Sequence, residues 1–418
     1  MNANPLIIKN AAQVVTCSGF KAKRGVQMAD LNVIEDGSVV IEDGLIKAVG
    51  PSREVLAGID TRAYDIIDAE GKAVLPGFVD SHTHFLFGGY RPHEYSWRLQ
   101  GIPYMEIMNR GGGIVNTMGA TRQATKAELS AQGRRRLNAM LAMGVTTVEG
   151  KSGYGLDKDT EIKQLEVMAE LNAGHPMDIV PTFLGAHAVP PEYKGRADDY
   201  IDFIIKEVLP DVTPKKLAQC CDVFCEKNVF TVEQSRRLLQ KARDLGLQLK
   251  LHADEIVSTG GAELAAELGA LSADHLLQAS DRGIDAMAGA GVVATLLPGT
   301  AFSLKEPFAR GRYMIDKGCA VALATDFNPG SCFTFSIPLI MALASLHTGL
   351  TPEESVTAMT INGAAAVGRA DTVGSLDIGK TADLIILSYP SYLFIPYHIG
   401  INIVEKVIKR GRLVVDRS

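Results

Sequence analysis

Nine histidines occur in the 418 residues, and five of them close short apolar runs. The first run is Val74-Leu-Pro-Gly-Phe-Val-Asp-Ser-His82-Thr-His84. Residues i and i+2 of a strand share a face, so His82 and His84 can reach one metal ion together. Asp80, two residues before His82, and the apolar lead-in favour a metal pair over two polar residues in a loop mouth. The alternation Leu247-Gln-Leu-Lys-Leu-His252 ends where a third ligand would sit; standing alone, such a histidine is more often structural. Cys319-Ala-Val-Ala-Leu-Ala-Thr-Asp326 ends in an aspartate, and a buried carboxylate needs a compensating partner. A helix N-cap is the other use of such an aspartate, but Asn328-Pro-Gly330 follows and argues against an immediate helix. Three imidazoles and one carboxylate suit a single Zn²⁺ or Fe²⁺ with one position left for water. Such an ion lowers the water pKa towards about 7, and the activated water attacks a carbonyl or amidine-like carbon. His275, closing Ser272-Ala-Asp-His275, can orient that water or polarise the carbonyl. Asp326 can shuttle a proton, and Glu255 can act as acid or base. The division of these steps among Glu255, His275 and Asp326 stays open.

These groups need elements that deliver them to one place. Strand-like runs end at His82/His84, Glu149, His187, Glu226, His252, His275, Pro298 and Asp326. Helical patterns lie between them, such as 126–143 and 232–245, and a further helix is expected over 351–367. Eight strands alternating with helices predict an α/β fold, a TIM-type (β/α)8 barrel, whose active sites gather at the C-terminal strand ends. A doubly wound open sheet fits the alternation too. Its dinucleotide-binding form would carry Gly-x-Gly-x-x-Gly after the first strand, which is absent. Gly111-Gly-Gly113 follows no strand and reads as a loop. The chain ends read as β. Ser38–Glu42 and Leu45–Val49 flank Asp43-Gly44, a hairpin signal. Ala382–Leu387 is a strand, and a pair within 404–415 turns at Arg410-Gly411. Neither end has enough strands for a stable sheet alone. Residues 1–70 and 372–418 are therefore expected to combine into one small β-sandwich domain beside a barrel of residues 71–371.

Composition limits the classes of function. Hydrophobic residues make up 46% and charged residues 22%, enough for a large core. The net charge of -6 lacks the clustered basic surface of a nucleic-acid binder. The six cysteines are sparse and lie mostly in apolar runs, so they read as reduced and buried. Cys221 and Cys225 have no second pair at zinc-finger spacing. No basic segment leads into an apolar core at the N-terminus, and the apolar stretch 384–404 is broken by Pro390, Pro396, His398 and Asn402. A cytoplasmic enzyme with no membrane partner is the expectation.

The run Pro76-Gly-Phe-Val-Asp80-Ser-His82-Thr-His84, with His252, His275 and Asp326, resembles the signature of the amidohydrolase superfamily. Further motifs resemble the imidazolonepropionase family along nearly the whole chain. They are Arg91-Pro-His-Glu-Tyr-Ser-Trp-Arg-Leu, Lys151-Ser-Gly-Tyr154-Gly-Leu, Gly185-Ala-His187-Ala-Val-Pro-Pro-Glu-Tyr, His252-Ala-Asp-Glu255, Gly260-Gly-Ala-Glu-Leu-Ala-Ala-Glu, Leu271-Ser-Ala-Asp-His275-Leu and Ala324-Thr-Asp326-Phe-Asn328-Pro-Gly330-Ser331. The resemblance implies hydrolysis of a ring C–N bond of 4-imidazolone-5-propanoate to N-formimidoyl-L-glutamate, in L-histidine degradation. It implies one divalent ion on His82, His84, His252 and Asp326. It implies substrate contacts from Arg91, Tyr154, His187 and Glu255, with Asn328, Gly330 and Ser331 near the product, and a homodimer. Arg91 can grip a carboxylate bidentately and Tyr154 can add a hydroxyl bond. Two positions depart from the family. Gly150 replaces a frequent branched apolar residue, implying a looser loop around Tyr154. Glu255 replaces a Gln of some members, and only a carboxylate transfers protons. The competing readings are another mononuclear amidohydrolase acting on a cyclic amide or purine-like ring, and a barrel kept only for binding. A binuclear member would carry a carboxylated lysine at a strand end; Lys151 and Lys227 read instead as surface or loop residues.

Overall fold

Five strands precede the barrel: β1 (Leu6–Val15), β2 (Val33–Glu42), β3 (Leu45–Pro51), β4 (Asp65–Asp68) and β5 (Ala73–Pro76). Asp43 and Gly44 join β2 to β3 with φ of 52° and 76°, as the hairpin signal requires. The barrel strands follow: β6 (Phe78–Asp80), β7 (Val145–Lys151), β8 (Asp178–Ala186), β9 (Cys220–Cys225), β10 (Gln248–Ala253), β11 (Ser272–His275), β12 (Val293–Leu296) and β13 (Ala320–Leu323). Three strands end the chain: β14 (Leu384–Leu387), β15 (Val404–Lys409) and β16 (Arg412–Asp416). The computed structural model describes residues 4–418 except 103–105, 107–109 and 111; of the loop expected at Gly111-Gly-Gly113, Gly111 lies outside the described residues, while Gly112 and Gly113 are non-helical and precede the helix Ile114–Gln123.

The two chain ends form one sheet, ordered β16-β15-β14-β5-β1-β2-β3 with β4 beside β1. It curls on itself. Ile46 N–H donates to Lys380 O (2.9 Å), joining the β3 edge to the segment before β14. Ile8, Val39 and Ile41 then share a core with Leu384, Ile386 and Ile408. This is the small sandwich-like body expected from the ends. Strands too few to be stable separately bury their apolar faces together.

The second sheet runs β6 to β13 in sequence order, with every neighbouring pair parallel. It closes through the segments beyond its first and last strands. Asp326 N–H donates to His82 O (3.0 Å) and His84 N–H to Phe327 O (2.9 Å). The strand residues are almost wholly buried, as parallel strands covered on both faces must be. Helix starts follow local chemistry. Thr125 with Glu128 and Thr231 with Gln234 make capping boxes for Lys126–Ala142 and Val232–Asp244. The helix expected over 351–367 is two, Pro352–Met359 and Ile361–Ala366. Thr360 breaks it at φ -121° and ψ -99°, and its hydroxyl bonds the Val356 carbonyl (2.7 Å). All six cysteines are free and buried. No described helix is long and apolar enough to cross a membrane.

Candidate active site

Six of the polar residues singled out at strand ends meet above the C-terminal mouth of the barrel, whereas Glu149 lies beneath them and Glu226 accepts from the backbone N–H groups of Lys227, Ile256 and Val257. His82 and His84 follow β6, His187 follows β8, His252 lies in β10, His275 ends β11 and Asp326 follows β13. The His82 and His252 rings lie 4.5 Å apart, and His252 and His275 5.2 Å. His84 stacks on His187 at 5.0 Å. Asp326 Oδ1 is 3.6 Å from His82 Nε2 and 3.5 Å from His84 Nε2, while the Thr300 hydroxyl donates to its other oxygen (2.6 Å). His275 and Asp326 take positive φ, 77° and 49°, a conformation rare outside glycine that turns the chain sharply at the strand end.

Burial keeps the imidazoles of His82, His84, His187 and His275 neutral. It holds His82 well below the ordinary range, reinforced by the Lys151 ammonium. It does the same for His84 and His275, helped by neighbouring imidazoles, and lowers His187 to about 3. Neutral imidazoles are metal donors. Three sets in this cluster have ligand atoms mutually within 4.8 Å: His82, His84 and Asp326; His82, His252 and His275; and His84, His187 and His252. His82 Nε2, both His252 ring nitrogens, His84 Nδ1 and His275 Nδ1 are buried without hydrogen-bond partners. Buried polar atoms are normally paired. A divalent cation among them would satisfy those that face it, so the donor set fits a metal ion.

Beneath the imidazoles lies an ionic layer that sequence reading missed. His82 Nδ1 donates to Asp274 Oδ2 (2.6 Å). His252 Nδ1 stands 3.0 Å from Asp222 Oδ2, close in distance but without the alignment of a hydrogen bond. Lys151, read from sequence as a surface or loop residue, is instead fully buried at the end of β7. Its Nζ donates to Asp222 (2.6 Å) and stands 2.8 Å from Glu149 Oε2 as an ion pair. Burial opposes its charge, but Asp222, Glu149 and Asp274 outweigh that and hold the ammonium above its usual range. Lys227 is exposed, as read. One clue was available: Glu149 and Lys151 share a strand face, and Lys250 lies two residues before His252.

The other half of the site is built on loops. Arg91, Arg98, Tyr154, His187, Glu255 and Ser331 line a cavity of about 460 Å³ that reaches Asp326. The Arg91 side chain is 9% exposed and sits 3.5 Å from Glu94. Its guanidinium packs over Gly330, where any side chain would collide with it. Arg98, not singled out from sequence, donates to Gly330 O (3.1 Å). Tyr154 is held by its loop: the buried Glu161 carboxylate accepts from the N–H groups of Gly153, Gly155 and Leu156 (2.8–3.1 Å). Gly150 does not loosen this loop. It lies within β7, and a Cβ there would stand 2.6 Å from Phe85 Cε1, so Phe85 fills the volume of the branched residue. Asn328 Oδ1 accepts from Gly330 and Ser331 N–H (both 2.8 Å), fixing that turn beside Asp326. His187 Nδ1 donates to Gly153 O (3.0 Å), which leaves Nε2 as an acceptor. Burial and the nearby Asp326 raise Glu255 to about 8.

The amidohydrolase family profile matches residues 73–414. The imidazolonepropionase of Clostridium tetani (strain Massachusetts / E88) is 62% identical over 418 residues, covering all of both chains. That of Parabacteroides distasonis is also 62% identical, over 99% of each. Among solved structures, an adenosine deaminase from Xanthomonas campestris with bound zinc superposes with a TM-score of 0.70 at 18% identity. That likeness covers 99% of this chain and 93% of the other, and shows the fold. The chain belongs to the amidohydrolase family and, within it, to the imidazolonepropionases, hydrolases of carbon–nitrogen bonds in cyclic amides.

Proposed function

We propose that this protein opens the ring of 4-imidazolone-5-propanoate by hydrolysing one ring C–N bond, releasing N-formimidoyl-L-glutamate in L-histidine degradation. The observation that carries this reading is one cavity with a metal-type imidazole cluster at one end and two arginines along its wall. A purine-like ring would leave those arginines without an anion to bind. The relatives' names point the same way.

His82, His84, His252 and Asp326 hold one divalent cation, Zn²⁺ or Fe²⁺. When bound, such an ion supplies an activated water near neutral pH and polarises a carbonyl. The protein's own groups do the rest. Arg91 and the Tyr154 hydroxyl receive the substrate carboxylate. His187 accepts a ring N–H through Nε2. His275, neutral and with Nδ1 3.6 Å from Glu255, orients the water or the ring carbonyl. Glu255, protonated at neutral pH by its burial, donates to the leaving nitrogen. Asn328, Gly330 and Ser331 border the product. The substrate is a free small molecule rather than a nucleic acid or a membrane lipid, and the enzyme works in the cytoplasm as a homodimer. Residues 1–70 with 372–418 act as a supporting domain for a barrel of 71–371.

The test mixes freshly generated 4-imidazolone-5-propanoate with metal-loaded protein and follows loss of its ultraviolet absorbance. Decay well above the spontaneous rate, absent in His252→Ala, is expected. No acceleration, with good hydrolysis of another cyclic amide, would sink the substrate assignment.

A further inference from the structure

Of the buried ionisable groups outside the proposed reaction, the densest set lies directly below the imidazoles. Glu149, Lys151, Asp222, Lys250 and Asp274 are all fully buried. Removing charges from water is costly unless each is paired, so their arrangement has to be closely determined. The two ammoniums are used differently. Lys250 Nζ donates to Ser272 Oγ (2.8 Å) and to the carbonyls of Ser81 and Ala366 (3.2 Å each), tying the layer to the barrel wall, and stands 3.4 Å from Asp274 Oδ2 and 3.6 Å from Glu149 Oε1. Lys151 Nζ donates to Asp222 Oδ2 at 2.6 Å and stands 2.8 Å from Glu149 Oε2, with Asp274 Oδ2 further off at 3.8 Å.

The oxygens that Lys151 faces are the ones that touch the histidines. Asp222 Oδ2 lies 3.0 Å from His252 Nδ1, and Asp274 Oδ2 accepts from His82 Nδ1 at 2.6 Å. The opposite oxygens are fixed independently. Asp222 Oδ1 accepts from Val223 N–H (2.7 Å) and His252 N–H (3.1 Å), and Asp274 Oδ1 from the Ser272 hydroxyl (2.6 Å). A carboxylate behind an imidazole sets its tautomer and ring orientation, so that the far nitrogen faces the metal.

We propose that Lys151 is a positioning residue for the metal centre, clamping Asp222 so that it orients His252, and sharing with Lys250 the charge of Asp274 behind His82. The proposal rests on the reading that these histidines hold a metal. It also gives Lys151 a role other than that of a carboxylated bridge between two metals, because its nitrogen is already engaged by two carboxylates at hydrogen-bond distance.

The test measures zinc affinity by chelator competition for the wild type, Lys151→Met, Asp222→Asn and the double variant. Absorption spectra of the Co²⁺-loaded proteins and melting of the metal-free proteins are recorded alongside. Lys151→Met should weaken zinc roughly 10–100-fold, the range for lost outer-sphere partners, and change the Co²⁺ spectrum. In the Asp222→Asn background the same substitution should cost less than about threefold, because its main route is already cut. Affinity within threefold of wild type in Lys151→Met, with only the melting temperature lowered, would overturn the proposal. Fully additive losses would overturn it as well. Should Lys151→Met not fold, Lys151→Gln takes its place, alone and with Asp222→Asn, under the same criteria. Wild-type protein that binds no metal would defeat this proposal together with the metal reading. A failure confined to Lys151 leaves the ring-opening reading intact, since chelator competition does not involve the substrate.

Discussion

The strand-borne and loop-borne halves of this site are held in different ways. His82, His252, His275 and Asp326 stand on or next to barrel strands, over a buried ionic layer that grips two of the rings from behind. Arg91, Arg98, Tyr154 and Asn328 stand on connections: Glu94 lies beside Arg91, Glu161 under the Tyr154 loop and turn bonds fix Asn328, while Arg98 reaches across to the Gly330 carbonyl. The first half is over-determined, as reacting groups must be. The second can change while the barrel stays intact, as expected where loops set substrate choice on a rigid barrel.

Breaking the strand-borne half should give the largest effect. His252→Ala removes a proposed ligand and should cut kcat/KM by on the order of 10³-fold or more, with loss of bound metal. Retained metal with retained activity would dissolve the distinction between the halves. Glu255→Gln sharpens it, since Glu255 stands between them. Its carboxyl, raised to about 8, is protonated at neutral pH, so activity should fall as pH rises through about 8. The Gln variant should lose roughly 10²-fold in kcat and lack that limb. Activity that rises through pH 8 would make Glu255 a base instead.

The loop-borne half should respond in KM. Arg91→Ala removes a charge-assisted, bidentate contact of about 1.5–3 kcal/mol. KM for the carboxylate substrate should rise roughly 10–100-fold with metal content unchanged. A kcat loss of equal size would show that Arg91 also aligns the ring for attack. Arg98→Ala should have the smallest effect, a roughly twofold to fivefold rise in KM, as for a partly screened charge of about 0.5–1 kcal/mol. The expected signature is greater salt sensitivity of KM in the wild type than in the variant.

By itself the sequence determined the barrel, a small β domain made from both chain ends, and the types and order of the residues at the strand ends. These follow from local rules: strand alternation, apolar runs closed by His or Asp, and turn residues such as Asp43-Gly44. Tertiary structure decided what surrounds them. Lys151 precedes Ser152-Gly153 and reads locally as the start of a loop, but Asp222, 71 positions away on a strand two further round the barrel, makes it a buried cation. Gly150 likewise reads as slack until Phe85 is seen to fill its side-chain volume. Arg98 reads as one more polar residue on a short helix until the turn at Gly330 brings its carbonyl within hydrogen-bond distance. Periodicity reports which face of an element is apolar. It carries no record of which distant charge will lie against a given lysine, because barrel closure alone brings those positions together.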